Sequence, residues 1–285
     1  MGKKHTIEQL EMKANDIRRD IIKMLEAAGS GHSAGPLGLT DIFTAFYFDI
    51  LNYDPKKPDW EERDYLFLSN GHCVPVQYAT MAHAGFFPIE ELKTLRKFGS
   101  RLQGHPERTK LPGLENTSGP LGSGLSQAAG VALGLRMNND LHRWVYVVMG
   151  DGEQDEGNVW EAAMFAGKNK LGNLIAVTDR NNIQIDGPTE TVMPLGDLGA
   201  KWEAFGWHVL EVDGNNIQAF IDACALARAI VNKPVMIIGQ TVPGKGVDFM
   251  EYDYKWHGKP PNHEEAKKAL HELRTLGGKI RGEHE

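Results

Sequence analysis

Apolar residues near the start of the chain recur at steps of three and four, the spacing of one face of an amphipathic helix. The stripe consists of Ile7, Leu10, Ala14, Ile17, Ile21 and Leu25. It stops at Gly29-Ser30-Gly31, so we expect the helix to end there. A second helix is expected after Pro36, with Leu39, Ile42, Phe43 and Phe46 on its apolar side.

The second half of the chain alternates short apolar runs with amphipathic segments. The apolar runs predict strands at residues 144–148, 174–178, 207–212 and 235–240, after an earlier strand at 65–69. The amphipathic segments predict helices at residues 127–136, 156–168, 198–205 and 217–231, and a charged helix from His263. Continuous apolar strands alternating with helices indicate an α/β fold with a mostly parallel sheet and helices on both faces.

Bulk composition is that of an ordinary globular protein able to bury a full core. Of 285 residues, 41% are apolar and 24% are charged, and the formal net charge is −7. The cationic side chains are scattered, which argues against nucleic-acid binding, because that needs a concentrated basic face. No apolar run approaches the ~20 residues of a membrane span. The charged N-terminus lacks the apolar core of a secretion signal, so we expect a cytoplasmic protein.

Two cysteines, Cys73 and Cys224, lie far apart and outside any CxxC pair. This spacing indicates two reduced thiols rather than a disulfide framework or a zinc site. Residues 99–124, by contrast, are dense in glycine and proline and show no hydrophobic period. Long loops inside compact domains are usually functional, and we expect this one to be.

The strongest sign of chemistry follows two successive predicted strands. Gly150-Asp151-Gly152 ends the first, and Asn181-Asn182 ends the second. Open parallel sheets bind ligands at the carboxyl ends of strands, so these segments are expected to meet. Glycines let backbone amides approach a phosphate closely, while Asp151 and Asn181 offer a carboxylate and an amide oxygen. Hard oxygen ligands suit Mg²⁺ or Ca²⁺, which predicts a site for a divalent metal and a diphosphate-bearing cofactor.

The same residues carry a resemblance to a known family. Gly150-Asp151-Gly152 with Asn181-Asn182 resembles the thiamine diphosphate motif, and five further segments resemble motifs of transketolase. In chain order these are GHSAGPLG at 31–38, LSNGH at 68–72, GHPE at 104–107, TSGPLG at 117–122, and Lys245-Gly246 followed by His257-Gly258. The similarity runs from about residue 10 to about residue 260. It implies the thiamine-diphosphate-binding fold, with residues 1–285 as a single domain that has an N-terminal helical segment and a C-terminal helix.

The resemblance also assigns the cofactor site. Asp151, Asn181 and the backbone carbonyl of Ile183 would bind the metal. Gly150 and Gly152 would approach the diphosphate, and Gly119 and Leu121 would meet the aminopyrimidine through backbone groups. Thiamine diphosphate with Mg²⁺, or Ca²⁺, is therefore the expected cofactor pair.

Four histidines at family positions are expected to line the reaction funnel. They are His32, His72, His105 and His257, of which His72 and His257 are also expected to touch the diphosphate. Histidine suits this place because ketol transfer moves protons to and from sugar hydroxyls near neutral pH.

An acidic run begins the predicted helix after the Gly-Asp-Gly segment. Within Glu153-Gln154-Asp155, helix capping competes with a catalytic role, because a helix N-terminus favours acidic side chains. We expect Gln154 to lie near the diphosphate and Asp155 to be structural. Glu156 matches a glutamate thought to link the two active sites of a transketolase dimer.

The resemblance covers only the first half of a typical transketolase. In that family a second domain binds the cofactor's pyrimidine and carries the glutamate that activates the cofactor. We therefore expect an N-terminal subunit that works with a separate C-terminal chain, in an α2β2 heterotetramer. The implied reaction moves a two-carbon ketol unit from a ketose phosphate to an aldose phosphate, in the pentose phosphate pathway.

Other functions stay open at this point. A 1-deoxyxylulose-5-phosphate synthase or the alpha subunit of a 2-oxo-acid dehydrogenase would use the same cofactor, but the GHPE segment and the GPLG loop favour transketolase. A non-catalytic homologue that keeps the cofactor-binding fold for a regulatory or scaffolding role is a further alternative, but the intact metal-binding residues and four histidines argue against such decay. A nucleotide-binding Rossmann protein is disfavoured, because no GxGxxG turn follows the first strand.

Overall fold

A computed structural model describes residues 5–140 and 142–284 of the chain. Its strands are β1 (Tyr65–Leu68), β2 (Val145–Gly150), β3 (Leu174–Arg180), β4 (Ile183–Gln184), β5 (Gly187–Pro188), β6 (His208–Asp213) and β7 (Val235–Gln240). Its α-helices are α1 (Ile7–Ala28), α2 (Ala34–Gly38), α3 (Thr40–Ala45), α4 (Val74–His83), α5 (Ser123–Met137), α6 (Gly157–Lys168), α7 (Thr189–Val192), α8 (Leu198–Ala204), α9 (Ile217–Ala229) and α10 (His263–His284).

Five strands form one sheet in the order β1-β2-β3-β7-β6, and β4 and β5 form a separate antiparallel ladder. Every pair in the larger sheet is parallel. Residue 150 of β2 stands opposite residue 179 of β3, which in turn stands opposite residue 239 of β7. The carboxyl ends of three neighbouring strands therefore lie level at one edge of the sheet.

Two apolar cores cover the two faces of this sheet. Along β2, Tyr146 and Val148 belong to one core, while Val145, Val147 and Met149 belong to the other. The first core contains side chains of α1, α3, α4, α9 and α10, and the second contains those of α5, α6 and α8. Because both sets of side chains are apolar, the strands read as unbroken apolar runs. The predicted α/β fold with helices on both faces is confirmed.

The first helix follows its predicted stripe closely. Thr6 caps α1, since its side chain accepts a hydrogen bond from the backbone N–H of Gln9 and Gln9 accepts one from the Thr6 N–H. Gly29 ends the helix with a left-handed backbone, φ 65°. The glycine after the stripe was thus a correct sign of the helix end.

One helical prediction was wrong in detail, and one helix was not predicted. The single helix expected after Pro36 is divided into α2, which already begins at Ala34, then α3 and a π-helical turn at Phe46–Ile50. Helix α4 was not predicted, because it is buried on all sides from Val74 to Ala82 and therefore shows no amphipathic stripe.

Both cysteines are buried free thiols, in agreement with the prediction. Within the described ranges, no helix is both long and apolar enough to span a bilayer.

A buried ion pair joins α1 to α3. The Arg18 guanidinium donates to the Asp41 carboxylate at 2.5 Å, and their side chains are 4% and 6% exposed. Asn215, in the turn before α9, donates to the same carboxylate at 2.8 Å. The Asn215 side-chain oxygen accepts from the backbone N–H of Val242 at 2.7 Å. This network therefore fixes the loop after β7 against α2 and α3.

Replacing Asp41 by asparagine should destabilise the chain by about 3–5 kcal/mol, because Arg18 would stay buried without its counter-charge. The measurement is the free energy of unfolding from urea denaturation. Asp16→Asn is the matched control, since the Arg19–Asp16 pair is exposed, at 3.7 Å, and such a pair contributes about 1 kcal/mol or less. Equal losses for the two variants would contradict the assignment.

Candidate active site

A cavity of about 300 Å³ opens at the carboxyl edge of the sheet, where β2 and β3 end. Loops that are far apart in sequence converge on it, as parallel topology requires. It is lined by His32, Asn70, His72, His105, Gly119, Leu121, Gly150, Asp151, Gly152, Glu153, Asp179, Asn181, Ile183, Gln184, Ile185 and His257. The two segments expected to meet after the first strands do meet, and the four histidines join them.

Asp151 lies at the end of β2 with its carboxylate almost fully buried. It accepts hydrogen bonds from the backbone N–H groups of Gly152 and Asn182, each at 2.7 Å, and from Arg180 Nη1 at 3.2 Å. Asn182 has φ 62°, a left-handed conformation that asparagine tolerates better than most residues. Burial raises the pKa of Asp151, and the hydrogen bonds and the Arg180 charge oppose that rise.

Asn181 and Asp179 form a second polar group at the end of β3. The Asn181 amide nitrogen donates to the Asp179 carboxylate at 2.8 Å, and its oxygen accepts from the Ile183 N–H at 3.0 Å. Thr241 donates to the other Asp179 oxygen. Burial, followed by the nearby Asp151 charge, raises the pKa of Asp179 to about 7. The amide of Asn181 is thereby held at the wall of the cavity.

The donor set fits a hard cation bound together with a diphosphate. Asp151, Asn181 and Ile183 all line the cavity and offer a carboxylate, an amide oxygen and a backbone carbonyl. Among the described residues, no three His, Cys, Asp or Glu side chains converge as a metal site of their own. A metal bound here would therefore need oxygen atoms of the bound diphosphate, in addition to the protein donors, to complete its coordination shell.

Three imidazoles form a compact group in the lining of the same cavity. The ring centroids of His32 and His72 are 4.8 Å apart, those of His72 and His257 are 5.1 Å apart, and those of His32 and His257 are 5.6 Å apart. The Nδ1 atoms of His32 and His257 are buried and have no hydrogen-bond partner in the described chain. Buried nitrogens without partners are rare, and they suit a site that receives a polar ligand.

Burial and mutual repulsion keep these histidines neutral. Burial, then the charges of His257, Arg96 and His105, lower the pKa of His32 to about 4. Burial also lowers the pKa of His72, His105 and His257. A neutral imidazole both donates and accepts a hydrogen bond, which is what exchange of protons with hydroxyl groups requires.

Close backbone packing holds the histidine segments together. A Cβ on Gly71 would lie 2.4 Å from the Ser118 hydroxyl, and one on Gly35 would lie 2.7 Å from the Cys73 sulfur. Ser33 donates to the carbonyl of Lys259 at 2.6 Å, which ties the His32 segment to the His257 segment. Glycine is therefore needed where these loops approach each other.

Gln154 is not among the residues that line the cavity, although its Nε2 donates to the Gly150 carbonyl at 3.3 Å, and its expected place near the diphosphate stays a prediction. Its side chain turns toward the core, where Nε2 donates to Thr178 at 2.9 Å and Oε1 accepts from Trp202 Nε1 at 2.8 Å. A buried amide takes the partners that satisfy it, and a tryptophan N–H is one that sequence spacing does not reveal. Glu156 is exposed at the N-terminus of α6 in this chain.

Five cavity residues were missed as site residues from sequence, namely Asn70, Glu153, Asp179, Gln184 and Ile185. Glu153 lines the floor of the cavity, directly after the Gly-Asp-Gly segment. Asn70 and Gln184 each place a buried polar atom without a partner, Asn70 Oδ1 and Gln184 Nε2, at the same cavity. Asn70 lies inside the LSNGH segment, which was a signal for it, whereas Gln184 had none.

The parallel sheet and the polar cavity at its carboxyl edge define a ligand-binding α/β protein. The family described as transketolase, thiamine diphosphate binding domain, matches residues 10–276. The chain belongs to this family.

Relatives of two lengths match the chain. It is 42% identical to the 6-deoxy-6-sulfo-D-fructose transketolase subunit of a Clostridium species, covering 94% of this chain and 97% of the relative. It is 40% identical to one subunit of the apulose-4-phosphate transketolase of Phocaeicola vulgatus, covering 94% of each chain. The solved transketolase of Campylobacter jejuni matches with a TM-score of 0.87 and 34% identity, over 93% of this chain and 42% of that one. The chain thus spans about two fifths of the solved transketolases it matches.

Acidification should destabilise the chain between pH 6.5 and about pH 4. In that window the unfolded chain binds a proton at His32 and the folded chain does not, so unfolding becomes more favourable as the pH falls. We expect His32→Asn to make the fall in unfolding free energy shallower, as measured by urea denaturation at closely spaced pH values. His142→Asn, at an exposed position, should leave the wild-type slope unchanged. A slope unaltered by His32→Asn would count against this role of burial.

Proposed function

We propose that this chain is the N-terminal subunit of a transketolase that binds thiamine diphosphate and Mg²⁺, or Ca²⁺, as one cofactor-binding domain. With a partner chain it transfers a two-carbon ketol unit from a ketose phosphate to an aldose phosphate. The observation that supports this best is the convergence of Asp151 and Asn181 with four histidines on one cavity. The proposal extends the shown family membership to an activity.

The proposed cofactor contacts follow from the walls of the cavity. Asp151, Asn181 and the Ile183 carbonyl hold the metal, while the backbone of Gly150 and Gly152 faces the diphosphate. A Cβ on Gly152 would lie 3.3 Å from the Gln184 side chain, so the glycine keeps the backbone accessible. Gly119 and Leu121 also line the cavity, and in this proposal they meet the aminopyrimidine through backbone groups.

When bound, thiamine diphosphate supplies a thiazolium carbon that adds to a ketose carbonyl and an electron sink for the two-carbon unit. The histidines of this chain manage the protons. His32, His72 and His257 stand close enough for a sugar hydroxyl to touch two of them. Burial lowers the pKa of each, which favours the neutral imidazole. His105 approaches the cavity from the 104–107 loop, beside Gly119. His72 and His257 also contact the diphosphate.

A partner chain is part of the proposal. Two relatives of nearly the same length are named as subunits. Exposed apolar side chains follow Glu156 along α6, where Met164 is 57% exposed and Phe165 is 43% exposed. Apolar groups of this size at a surface favour a protein interface. We propose a C-terminal chain with the pyrimidine-binding domain, assembled as an α2β2 heterotetramer in the cytoplasm, with Glu156 linking its active sites.

The purified pair of chains should convert xylulose 5-phosphate and ribose 5-phosphate into sedoheptulose 7-phosphate and glyceraldehyde 3-phosphate, as followed by chromatography of the products. Cofactor binding without this product would exclude the proposed reaction on these substrates. The sulfosugar and the apulose phosphate named for the relatives provide the next substrates to compare. Condensation of pyruvate with an aldose phosphate would instead favour the synthase alternative. Absence of cofactor binding, with and without the partner, would favour a non-catalytic homologue.

Asp151→Asn should weaken metal-dependent binding of thiamine diphosphate by about 100-fold or more, because even an outer-shell partner is worth about 10–100-fold in metal affinity. Calorimetry on the assembled pair, with and without Mg²⁺, measures this change. Asp222→Asn, on the exposed side of α9, is the control and should bind like the wild type. If Asp151→Asn bound cofactor normally in Mg²⁺, Asp151 would not be a metal ligand.

A further inference from the structure

The Glu153 carboxylate joins three separate segments at the floor of the cavity. It is buried, with 2% of the residue exposed. One oxygen accepts hydrogen bonds from the Ser69 hydroxyl and, at 2.6 Å, from the backbone N–H of Gly122. The other oxygen accepts from the Gly150 N–H at 3.0 Å. The same carboxylate therefore accepts hydrogen bonds from the ends of β1 and β2 and from the start of α5.

The Glu153 carboxylate also caps the N-terminus of α5, where the N-cap residue, Gly122, makes no side-chain hydrogen bond. Ser69 donates to Glu153 and accepts from the Gly124 N–H at 3.0 Å. Helix N-termini favour negative charge, because their first N–H groups lack partners within the helix. Burial raises the pKa of Glu153, whereas the bonds from Ser69, Gly122 and Gly150 favour its charged form.

The segment before α5 has no room to find another arrangement. A Cβ on Gly124 would lie 2.5 Å from the Ser69 side chain, and one on Gly122 would lie 2.1 Å from the Asn158 amide oxygen. Gly122 also has φ 80°, a conformation that disfavours other residues. Close packing and the Glu153 bonds together set where Gly119 and Leu121 stand relative to the Gly150-Asp151-Gly152 segment.

We propose that Glu153 is a positioning residue that holds the Gly119–Leu121 segment at a fixed distance from the Gly150-Asp151-Gly152 segment, so that the two ends of the cofactor bind at once. This inference rests on the proposed function. Glu153 acts through the loops, because the hydrogen bonds from Ser69, Gly122 and Gly150 already occupy its two oxygens. Free diphosphate, which engages only one segment, does not depend on this spacing.

Glu153→Gln separates positioning from plain electrostatics. In either orientation the amide places its NH₂ group against a backbone N–H, that of Gly122 or that of Gly150, so at least one of the hydrogen bonds that fix the segments is lost. Losing a negative charge near the diphosphate, by contrast, favours any anion. We therefore expect affinity for thiamine diphosphate to fall at least about tenfold, since unsatisfied buried donors are costly, while affinity for pyrophosphate is unchanged or higher.

The test is calorimetry on the complex of this chain with its partner, in Mg²⁺, with thiamine diphosphate and with pyrophosphate as separate probes. Ser69→Ala keeps the charge and removes the hydrogen bonds that the hydroxyl makes with Glu153 and Gly124, and we expect a smaller loss of affinity confined to thiamine diphosphate. Glu203→Gln, an exposed charge change on α8, should alter neither affinity. If Glu153→Gln does not fold, Ser69→Ala tests the same spacing.

Equal weakening of both probes would overturn the proposal, because it would mean a general loss of structure. Unchanged or tighter binding of both would overturn it too, since only electrostatics would then matter. Failure of the proposed function looks different: the wild-type complex itself would bind pyrophosphate without binding thiamine diphosphate.

Discussion

The parallel register of β2 with β3 is the constraint on which the site depends. It places Gly150 directly opposite Asp179 and so brings two polar strand ends to the same edge of the sheet. The regular backbone ladder between β2 and β3 ends there, and the N–H groups of Gly150 and Gly152 donate instead to the side chains of Glu153 and Asp151. A shift of one residue would turn every β3 side chain to the other face and separate Asp151 from Asn181.

Burial of acidic groups at this edge is stabilised by local donors. Asp151 receives two backbone N–H groups, and Glu153 receives two more together with a hydroxyl. A buried carboxylate is costly unless it is hydrogen-bonded, so each acid orders the loops that supply its partners. Hydrogen bonds to the Asp151 and Glu153 carboxylates thus order the loops on one part of the cavity lining. The histidine segments are ordered instead by close packing at glycines.

Much of this arrangement could be predicted from the positions of apolar runs and motifs in the sequence. The apolar runs located all five strands of the main sheet to within two residues at either end. Strands covered on both faces carry continuous apolar runs, and the partly exposed edge strand β6 still carries Val209, Leu210 and Val212. Motif positions brought His32, His72, His105 and His257 into one proposed site, and the structure does place them around one cavity. Helix α4 was not predicted, because burial on every side removes the helical period of apolar residues on which the prediction relies.

What the sequence by itself determined was the order of the elements, the family, and which residue types stand at the strand ends. Only the tertiary structure decided where neighbouring side chains point. Gln154 and Glu153 are adjacent and both polar, yet one turns to Trp202 in the core and the other to the cavity floor. Their direction depends on partners such as Trp202 and Gly122, more than thirty residues away on either side, which meet them only after the sheet has formed.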